Sequence, residues 1–222
     1  MSIRFFNLND VLFLLQAARW TLLLSAIAFI GGGLAGLLVM SLRVSPSAWL
    51  RGIARAHIEL FQGTPLLMQL FVCFFLMTLV GVELSATVSA AIALTLNASA
   101  FSAEIWRGAI EAIPRAQWEA AASIGMSRLE QVRYIIAPQA LRIAIAPTVG
   151  LMVQIVKGTA LTALIGFAEL TRAGQLVSNT TYQPLAAYGT AALIYLAICF
   201  PLSALSQHLE RRLNVGHTVE FG

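Results

Sequence analysis

The sequence predicts an all-α integral membrane protein with five transmembrane helices. Of its 222 residues, 59% are hydrophobic and only 11% are charged, and the mean hydropathy is +0.81. A chain of this composition lacks the polar side chains that a soluble domain needs on its surface. It also contains several apolar stretches near the ~20 residues with which a helix crosses ~30 Å of hydrocarbon.

Charge sets the limits of each stretch, because an ionised side chain at mid-membrane costs roughly 2.5–3.5 kcal/mol. Four stretches are uncharged: Thr21–Leu42, Pro65–Val82, Leu84–Ala103 and Leu185–Gln207. A further stretch, Ile143–Ala168, contains Pro147 and is interrupted by Lys157, the only lysine in the sequence. An interrupted span of this kind is typical of a bent helix that lines a cavity. When the residues that flank each apolar stretch are included, the five spans are expected at about 20–42, 63–82, 84–106, 143–166 and 185–207.

The basic residues are distributed unevenly, and the asymmetry predicts the orientation. Most of the 14 basic residues follow span one, lie between spans three and four, or follow span five: Arg43, Arg51, Arg55, Arg107, Arg115, Arg128, Arg133, Arg142, Arg211 and Arg212. The opposite side keeps Arg4, Arg19, Lys157 and Arg172. The positive-inside rule therefore predicts that the N-terminus is outside and the C-terminus is cytoplasmic.

The same pattern divides the chain into three parts. Residues 1–17 are expected to form an extracytoplasmic N-terminal segment, 18–212 the transmembrane domain, and 213–222 a cytoplasmic tail. No cleavable signal peptide is expected, since Arg4, Asp10 and Arg19 interrupt the start of the sequence.

A charged, arginine-rich island at residues 114–138 is predicted to begin with a short helix. Pro114 suits a first helical position, and the residues after it are strong helix formers. Gly125 is placed to end this helix in the left-handed conformation. By the predicted topology, the island is cytoplasmic.

A second short helix is predicted after Gly125. Ser127 and Glu130 have the spacing of a capping box. The helix is expected to end near Ala137, because Pro138 disfavours α geometry in the residue before it.

Two interpretations of the island remain open on physical grounds. Its two helices could dock as a knob into a partner's groove, with Trp118, Ala122 and Ile124 as apolar contacts and Glu119 as the charge. Alternatively, the first helix could rest on the lipid interface as an amphipathic helix.

The island resembles the EAA loop of permease subunits of bacterial ATP-binding-cassette (ABC) importers. The matching positions are Glu119-Ala120-Ala121, Gly125, Ile135 and Pro138, while Ala137 stands where the family usually has leucine. Further segments resemble the polar amino-acid branch of these permeases: Gln62 to Leu67, Leu96 to Ile105, Pro138 to Arg142 and Lys157 to Leu161. The resemblance covers the chain from about Ala18 to Arg212.

This resemblance implies a type I importer core that pairs with a second permease, identical or paralogous. It also implies a dimer of ATPase subunits and an extracytoplasmic substrate-binding protein as partners, with no role for nucleic acid. The EAA loop would be the coupling helix, with these residues in contact with the ATPase: Trp118, Glu119, Ala120, Ala121, Gly125 and Arg128. No phosphate-binding loop occurs in the sequence, so ATP and Mg²⁺ are expected on the partner, and no catalytic residue, cofactor or metal is expected in this chain.

Polar residues within the spans are candidates for the substrate path, because amides and hydroxyls can bind an amino acid without a strong fixed charge. The candidates are Asn97, Gln69, Gln154, Lys157, Thr159 and Thr162. Asn97 and Gln69 could instead bond to a neighbouring helix, an alternative that weighs more for Gln69. Lys157 could instead extend to the membrane interface.

Departures from the family pattern concern the substrate. Many relatives carry an Asn-Glu pair where Gly150 and Leu151 stand here, and often Asp and Ser where Gly158 and Ala160 stand. A carboxylate there could hold a cationic side chain. Its absence argues against arginine or histidine as the substrate of this subunit, unless a paralogous partner supplies the acid.

Three smaller features complete the predictions. Gly32 and Gly36 have small-xxx-small spacing, for which packing within the subunit is favoured over a dimer seam. Glu104, Arg107 and Glu111 are expected to form an ion-paired helix face. In the loop Phe167–Pro184, the candidates for contact with the binding protein are Glu169, Arg172 and Tyr182, although an ordinary solvated loop would explain them nearly as well.

Two other functional classes are excluded. A proton- or sodium-coupled transporter should show carboxylates within the membrane. No Asp or Glu lies in the five apolar stretches named above. An intramembrane hydrolase needs a base beside its nucleophile, whereas His57, His208 and His217 all fall outside the spans.

Overall fold

The computed structural model describes residues 4–213, and every regular element in that range is helical. The α-helices are α1 (Leu8–Arg43), α2 (Ala48–Gly63), α3 (Leu66–Phe71), α4 (Met77–Leu79), α5 (Ala86–Glu111), α6 (Arg115–Ser123), α7 (Arg128–Glu130), α8 (Ala137–Gly158), α9 (Leu170–Thr181) and α10 (Pro184–Leu213). Two π-helical turns, Val72–Leu76 and Gln131–Ile136, join α3 to α4 and α7 to α8, and the 3₁₀ segment Thr159–Ile165 follows α8. Nearly all of the predicted tail 213–222, with His217, lies outside the described residues.

Four helical stretches in the described chain are long and apolar enough to cross a membrane. They are α1, α5, the stretch Arg128–Ile165 and α10. The bent pair Ala48–Gly63 and Leu66–Leu79, with 108° between its halves, makes a fifth if the pair is counted as one span. The predicted all-α membrane fold is confirmed in this form.

The second span differs from its prediction. Instead of one straight helix over 63–82, α2 and the stretch Leu66–Leu79 meet at a sharp bend at Thr64 and Pro65. At 1.5 Å per residue, the second half is only about 21 Å long, which is too short to cross the membrane alone. The charges of α2, which include Arg51 and Arg55, hid it from a search for uncharged stretches.

The helix of the first span begins earlier than its apolar stretch suggests. A capping box closes the start of α1, where the Asn7 side chain accepts from the backbone and the Asp10 carboxylate accepts from Asn7 N–H. Arg4 forms an ion pair with the buried Asp10. The 36 residues of α1 therefore include much of the segment expected to precede the membrane domain.

The island forms the predicted short helix and glycine corner. Gly125 has φ +82°, and the amides of Gly125 and Met126 bond to the carbonyls of Ala122 and Ala121 at 3.0 and 3.2 Å. These two bonds form a Schellman motif. Pro114 lies one residue before the predicted place, as the N-cap of α6.

The second helix of the island has the predicted capping box but does not end where expected. Ser127 and Glu130 cap each other's backbone groups. The prediction that the helix ends near Ala137 is wrong, because helical structure continues from α7 through the π-helical turn Gln131–Ile136 into α8. The wider i→i+5 spacing of that turn precedes Pro138, whose ring would otherwise crowd an α-helix.

Close contact between α1 and α5 depends on two glycines. A Cβ on Gly32 would lie 2.5 Å from Ala98 Cβ, and one on Gly36 would lie 2.5 Å from Ser102 Cβ and 2.9 Å from the Ser99 carbonyl oxygen. No real Cβ tolerates such distances. The small-xxx-small pair therefore packs within the subunit, as predicted.

Three of the four apolar clusters in the described chain position the rest of the molecule. The central one joins α1, α3, α5 and α8 around Leu24, Leu70 and Leu94. A second, around Leu14 and Leu170, joins the starts of α1 and α10 to α9, and we call this the α9 end. A third packs the last turns of α5 and the start of α8 beside α6, around Ile136, and we call this the α6 end.

We expect Gly36→Ala to destabilise the protein by about 1–3 kcal/mol, because the added methyl group overpacks the α1–α5 contact. For a chain of this size, that loss lowers the melting temperature by roughly 2–4 °C per kcal/mol. Thermal unfolding of the purified protein in detergent measures the change.

Gly33→Ala is the matched control, since a Cβ at Gly33 meets nothing within 4 Å. Equal melting temperatures for the two variants would contradict the assigned contact.

Candidate functional site

A cavity of about 130 Å³ lies where the α2–α3 bend faces α5 and α8. Its wall contains aromatic, aliphatic and amide side chains but no charged one: Phe61, Gln62, Thr64, Leu66, Leu94, Asn97, Phe101, Leu151, Gln154 and Ile155. Most of the wall is apolar, with a few polar groups, which is the usual composition of a small-molecule site.

The bend beside the cavity is held by the amide of Gln69. Gln69 Nε2 lies 2.9 Å from the Phe61 carbonyl oxygen, 3.0 Å from the Thr64 carbonyl oxygen and 3.0 Å from Thr64 Oγ1. These carbonyls end α2 and have no partner in a continuing helix. The buried Gln69 therefore satisfies the backbone where the span breaks.

Asn97 on α5 is bonded to the same network. Its Nδ2 donates to Gln69 Oε1 at 3.0 Å and to the Phe61 carbonyl oxygen at 3.3 Å. Both bonds use the amide nitrogen, so the amide oxygen is the group that remains for a ligand. Two of the path candidates are thus brought together, with Asn97 in the cavity wall and Gln69 behind it.

The other path candidates lie in different surroundings. Gln154 is exposed in the cavity wall. Thr159 and Thr162 are fully buried, and their hydroxyls donate to the carbonyls of Val156 and Thr159 at 2.7 and 2.6 Å. Lys157 is exposed at the end of α8 and is not part of this cavity wall.

Some cavity residues were missing from the sequence-based candidates. Phe61 and Gln62 come from α2, which was not counted as part of a span. Leu151 was named only because it stands where many relatives carry a glutamate. Gln62 also bonds through Nε2 to the Ala100 carbonyl oxygen at 3.2 Å. Its place in the resembling segment Gln62 to Leu67 was the available signal.

A second surface of interest is formed by α6 and the corner after it. Ala121 is buried against the chain and Trp118 packs partly into the cluster at the α6 end, whereas Glu119, Ala120 and Arg128 are exposed. The corner also exposes two large apolar side chains, Ile124 at 76% and Leu129 at 75%. The α6 surface, as we call it, therefore carries apolar area that the described chain does not cover.

A groove of about 390 Å³ runs beside α6. It is lined by Arg115, Trp118, Glu119, Ala122, Arg128 and Gln131. Gln131 Nε2 donates to the Met126 carbonyl oxygen at 2.8 Å and so fixes the corner against the π-helical turn. Of the residues expected to contact an ATPase, Ala121 anchors the helix to its own chain, and Gly125 provides the corner.

Ionisable groups at the α6 end are paired as expected. Arg107 Nη2 lies 2.6 Å from Glu104 Oε2, and Arg107 also pairs with Glu111 one turn further along α5. The predicted ion-paired face is confirmed. Within residues 4–213, no group of three or more His, Cys, Asp or Glu side chains is arranged to hold a metal ion.

The loop at the α9 end contains a buried carboxylate rather than a surface one. Glu169 is 0% exposed and caps the start of α9, so the expectation that it could meet a binding protein does not fit this structure. Tyr182, by contrast, is exposed. Burial raises the pKa of Glu169 above its ordinary value, while hydrogen bonds from Tyr195, Thr171 and Arg172 oppose the rise.

Comparison with known proteins identifies the class. Residues 28–215 match the family described as binding-protein-dependent transport system inner membrane component, and the chain belongs to this family. It is a multi-pass protein of the bacterial inner membrane, and the resemblance to ABC-importer permeases read from the sequence is confirmed.

Curated relatives narrow the class to amino-acid ABC transporter permeases. The probable amino-acid ABC transporter permease protein YckA of Bacillus subtilis is 34% identical over 200 residues, which are 90% of this chain and 88% of that protein. The L-cystine transport system permease protein TcyB of the same species is 37% identical over 196 residues, 88% and 84% of the two chains. The glutamine transport system permease protein GlnP of Escherichia coli is 32% identical over 204 residues, 91% and 93% of the two chains.

Solved structures agree with the fold. A crystal structure of an amino acid ABC transporter with histidines superimposes with a TM-score of 0.89 at 31% identity, covering 96% of this chain and 100% of that chain. The inward-facing MetNI methionine ABC transporter superimposes with a TM-score of 0.78 at 20% identity, over 94% and 99% of the two chains. The second likeness shows the shared fold alone.

We expect Gln69→Leu to destabilise the α2–α3 bend, because it removes the side-chain donor to the Thr64 carbonyl and leaves the Phe61 carbonyl and the Asn97 amide with only each other as partners. Each unsatisfied buried group costs about 1–3 kcal/mol. The melting temperature of the purified protein measures the loss.

Gln16→Leu is the control, since Gln16 is exposed on α1. The network would be of no consequence for stability if both variants melted at the temperature of the parent protein.

Proposed function

We propose that this chain is the membrane-spanning permease of an ATP-driven amino-acid uptake system. It forms the translocation path and receives movement from separate ATPase subunits through the α6 surface. A dimer of those subunits binds ATP and Mg²⁺ and performs the hydrolysis. A second permease, identical or paralogous, and an extracytoplasmic binding protein complete the assembly.

The α6 surface is the observation that carries the coupling role. A nine-residue helix is anchored to the chain by Ala121 and ended by the Gly125 corner. The apolar side chains of Ile124 and Leu129 remain without cover in the described chain. Small side chains at Ala120 and Ala122 permit close backbone approach, and Glu119 can form a charge-assisted hydrogen bond with a partner.

The position of this surface suits a cytoplasmic partner. The ends of α1, α5 and α10, which carry Arg43, Arg107, Arg211 and Arg212, lie toward the α6 end, because Gly36 of α1 meets Ser102 of α5 and Ser206 of α10 bonds to Ala146 of α8. Arg115, Arg128, Arg133 and Arg142 belong to the α6 end itself. The positive-inside rule then places the α6 end in the cytoplasm and the α9 end outside. With this orientation, the start of α1 faces the binding protein and the end of α10 faces the ATPase.

Transmission of movement depends on continuous structure between the α6 surface and the cavity. Helical structure runs from Arg128 through the π-helical turn and α8 to the 3₁₀ segment. Leu151 and Gln154 of α8 line the cavity. A displacement of the α6 surface is therefore carried directly to the cavity wall.

The substrate we favour is a neutral amino acid with a polar side chain. The cavity wall offers the amides of Gln62, Asn97 and Gln154 and the hydroxyl of Thr64, but no carboxylate or ammonium group. Amide groups can bond both to the ammonium and to the carboxylate of an amino acid. Relatives named for glutamine and cystine transport are consistent with this class.

We expect Gly125→Val and Glu119→Arg to uncouple transport while sparing membrane insertion. Valine is strained at φ +82° and distorts the corner, whereas arginine reverses the charge that faces the partner. Uptake into vesicles, substrate-stimulated ATP hydrolysis and copurification of the ATPase subunit with the tagged chain measure the effect.

Two matched variants control for general damage. Gly125→Asn should retain most activity, because asparagine tolerates the left-handed conformation better than valine. Glu59→Arg reverses an exposed charge on α2, away from the α6 surface. Normal uptake and stimulated hydrolysis in both Gly125→Val and Glu119→Arg would defeat the coupling assignment.

We expect uptake to be inhibited by neutral polar amino acids such as glutamine and much less by arginine. The cavity has no carboxylate to offset the desolvation of a second cationic group. A competition panel against a radioactive substrate measures the preference, with the binding protein assayed alone to separate its selectivity. Strong, selective inhibition by arginine alone would refute the proposed substrate class.

A further inference from the structure

His57 falls outside the apolar stretches of the sequence but lies on α2, within the bent pair that makes the fifth span. Its Nε2 is 2.8 Å from Oγ of Ser99 on α5, and Ser99 is fully buried. Ser99 Oγ donates its only hydrogen to the Leu96 carbonyl oxygen at 2.7 Å, so His57 Nε2 is the donor of the first bond. A serine nucleophile would donate to its histidine base instead. The pair therefore attaches α2 to α5 and does not form a catalytic dyad.

Ser99 is a junction of three helices. Its side chain bonds to α2, while its backbone contacts α1. A Cβ on Gly32 would lie 3.2 Å from the Ser99 backbone nitrogen, and one on Gly36 would lie 2.9 Å from the Ser99 carbonyl oxygen. Because these contacts leave no room for α5 to shift toward α1, the acceptor of the His57 bond is held in a fixed place.

Three side-chain hydrogen bonds join α2 to α5 in the described chain. Besides the His57 bond, Gln62 Nε2 donates to the Ala100 carbonyl oxygen at 3.2 Å, and Asn97 Nδ2 donates to the Phe61 carbonyl oxygen at 3.3 Å. The last two bonds involve the final turn of α2, whereas His57 lies one turn earlier. Contacts within a single turn resist rotation of a helix only weakly, so His57 gives α2 its second fixed polar point.

The His57 ring also supports the cavity wall by direct packing. It lies against the Phe61 ring one turn along α2, with 4.7 Å between the ring centroids and 48° between the ring planes. Phe61 lines the cavity, and its carbonyl oxygen accepts from both Asn97 and Gln69. The imidazole thus fixes the helix that carries Phe61 through Nε2 and contacts the side chain of Phe61 through its ring.

We propose that His57 is a positioning residue for the cavity: it holds α2 against α5 through Ser99 and so keeps Phe61 in the geometry that an amino acid meets. His57 is not part of the cavity wall, and it acts through Phe61. The inference rests on the proposed transport function, which assigns the cavity to the amino acid. A binding site keeps its geometry only when the residues behind it are themselves held by packing and hydrogen bonds.

Nuclear magnetic resonance of the full chain in lipid, with histidine labelled at its ring nitrogens, tests the bond itself. His208→Gln and His217→Gln leave His57 as the one labelled ring. At a pH well above the ordinary titration range of histidine, we expect the hydrogen on Nε2 and a shift of the Nε2 resonance in Ser99→Ala. A ring with its hydrogen on Nδ1, or an Nε2 resonance that Ser99→Ala leaves unchanged, overturns the proposal.

Uptake then tests what the bond does for the cavity. The complex with its ATPase and binding protein is reconstituted in vesicles, and the uptake of radioactive glutamine is measured per ATP hydrolysed. We expect His57→Phe and Ser99→Ala to lower this ratio about fivefold to tenfold, the effect of one lost hydrogen bond on a binding step. An amino acid that the cavity holds less firmly leaves again before the cycle is complete. His57→Phe keeps a ring against Phe61, so its defect reports the lost donor.

Further variants separate positioning from general stability. His57→Gln presents an amide Nε2 near the place of the imidazole Nε2 and should restore the ratio to within about twofold of the parent, whereas the shorter His57→Asn should not. Tyr195→Phe removes a buried hydrogen bond to Glu169 at the α9 end. It should lower the melting temperature and leave the ratio unchanged.

The outcomes that overturn the positioning role are distinct. They are a parental ratio in both His57→Phe and Ser99→Ala, an equal loss in His57→Gln and His57→Phe, and an equal loss in Tyr195→Phe, which would show that lower stability alone explains the defect. Failure of the parent complex to take up glutamine counts against the proposed function instead. The resonance experiment still decides whether His57 bonds to Ser99, so the two failures are distinguishable.

Discussion

The structure depends on one constraint: polar groups that leave a regular helix inside a membrane must find partners within the protein, because hydrocarbon offers none. Two interruptions of spans in residues 4–213 are met by nearby side chains. Gln69 bonds to the carbonyls that end α2. Thr159 and Thr162 donate to carbonyls where α8 becomes a 3₁₀ segment. Among the described residues, Ser89 Oγ is the one buried side-chain oxygen without a partner.

This constraint explains why the candidate site lies at a break. A continuous helix uses all its backbone groups internally and presents only side chains to a substrate. The bend between α2 and α3 leaves room beside α5, and the amides that hold the bend also form the polar part of the cavity wall. The same amide groups thus stabilise the bend and line the cavity, and Asn97 does both.

The two ends of the molecule differ in what they leave exposed. At the α6 end, a glycine corner leaves apolar side chains exposed for a partner. At the α9 end, a glutamate at a helix N-cap accepts from donors on α1 and α10 and is fully buried. Between them, Gly32 and Gly36 let α1 and α5 touch, which provides a stiff connection.

Much of this was readable from the order of residues alone. The lack of charge determined the membrane class and the positions of four spans, and the resembling segments determined the family. The local signals at Gly125, Ser127 and Glu130 determined the corner of the island, because capping acts over short distances. The tertiary structure alone decided that α2 completes the second span, that helical structure continues past Pro138, and that Glu169 is buried. Each of these outcomes depends on partners or backbone geometry that sequence spacing does not reveal. The bend at Thr64 and Pro65 joins the charged α2 to the span, and the π-helical turn makes room for a proline ring. A carboxylate tolerates burial only where donors such as Thr21 and Tyr195 are supplied.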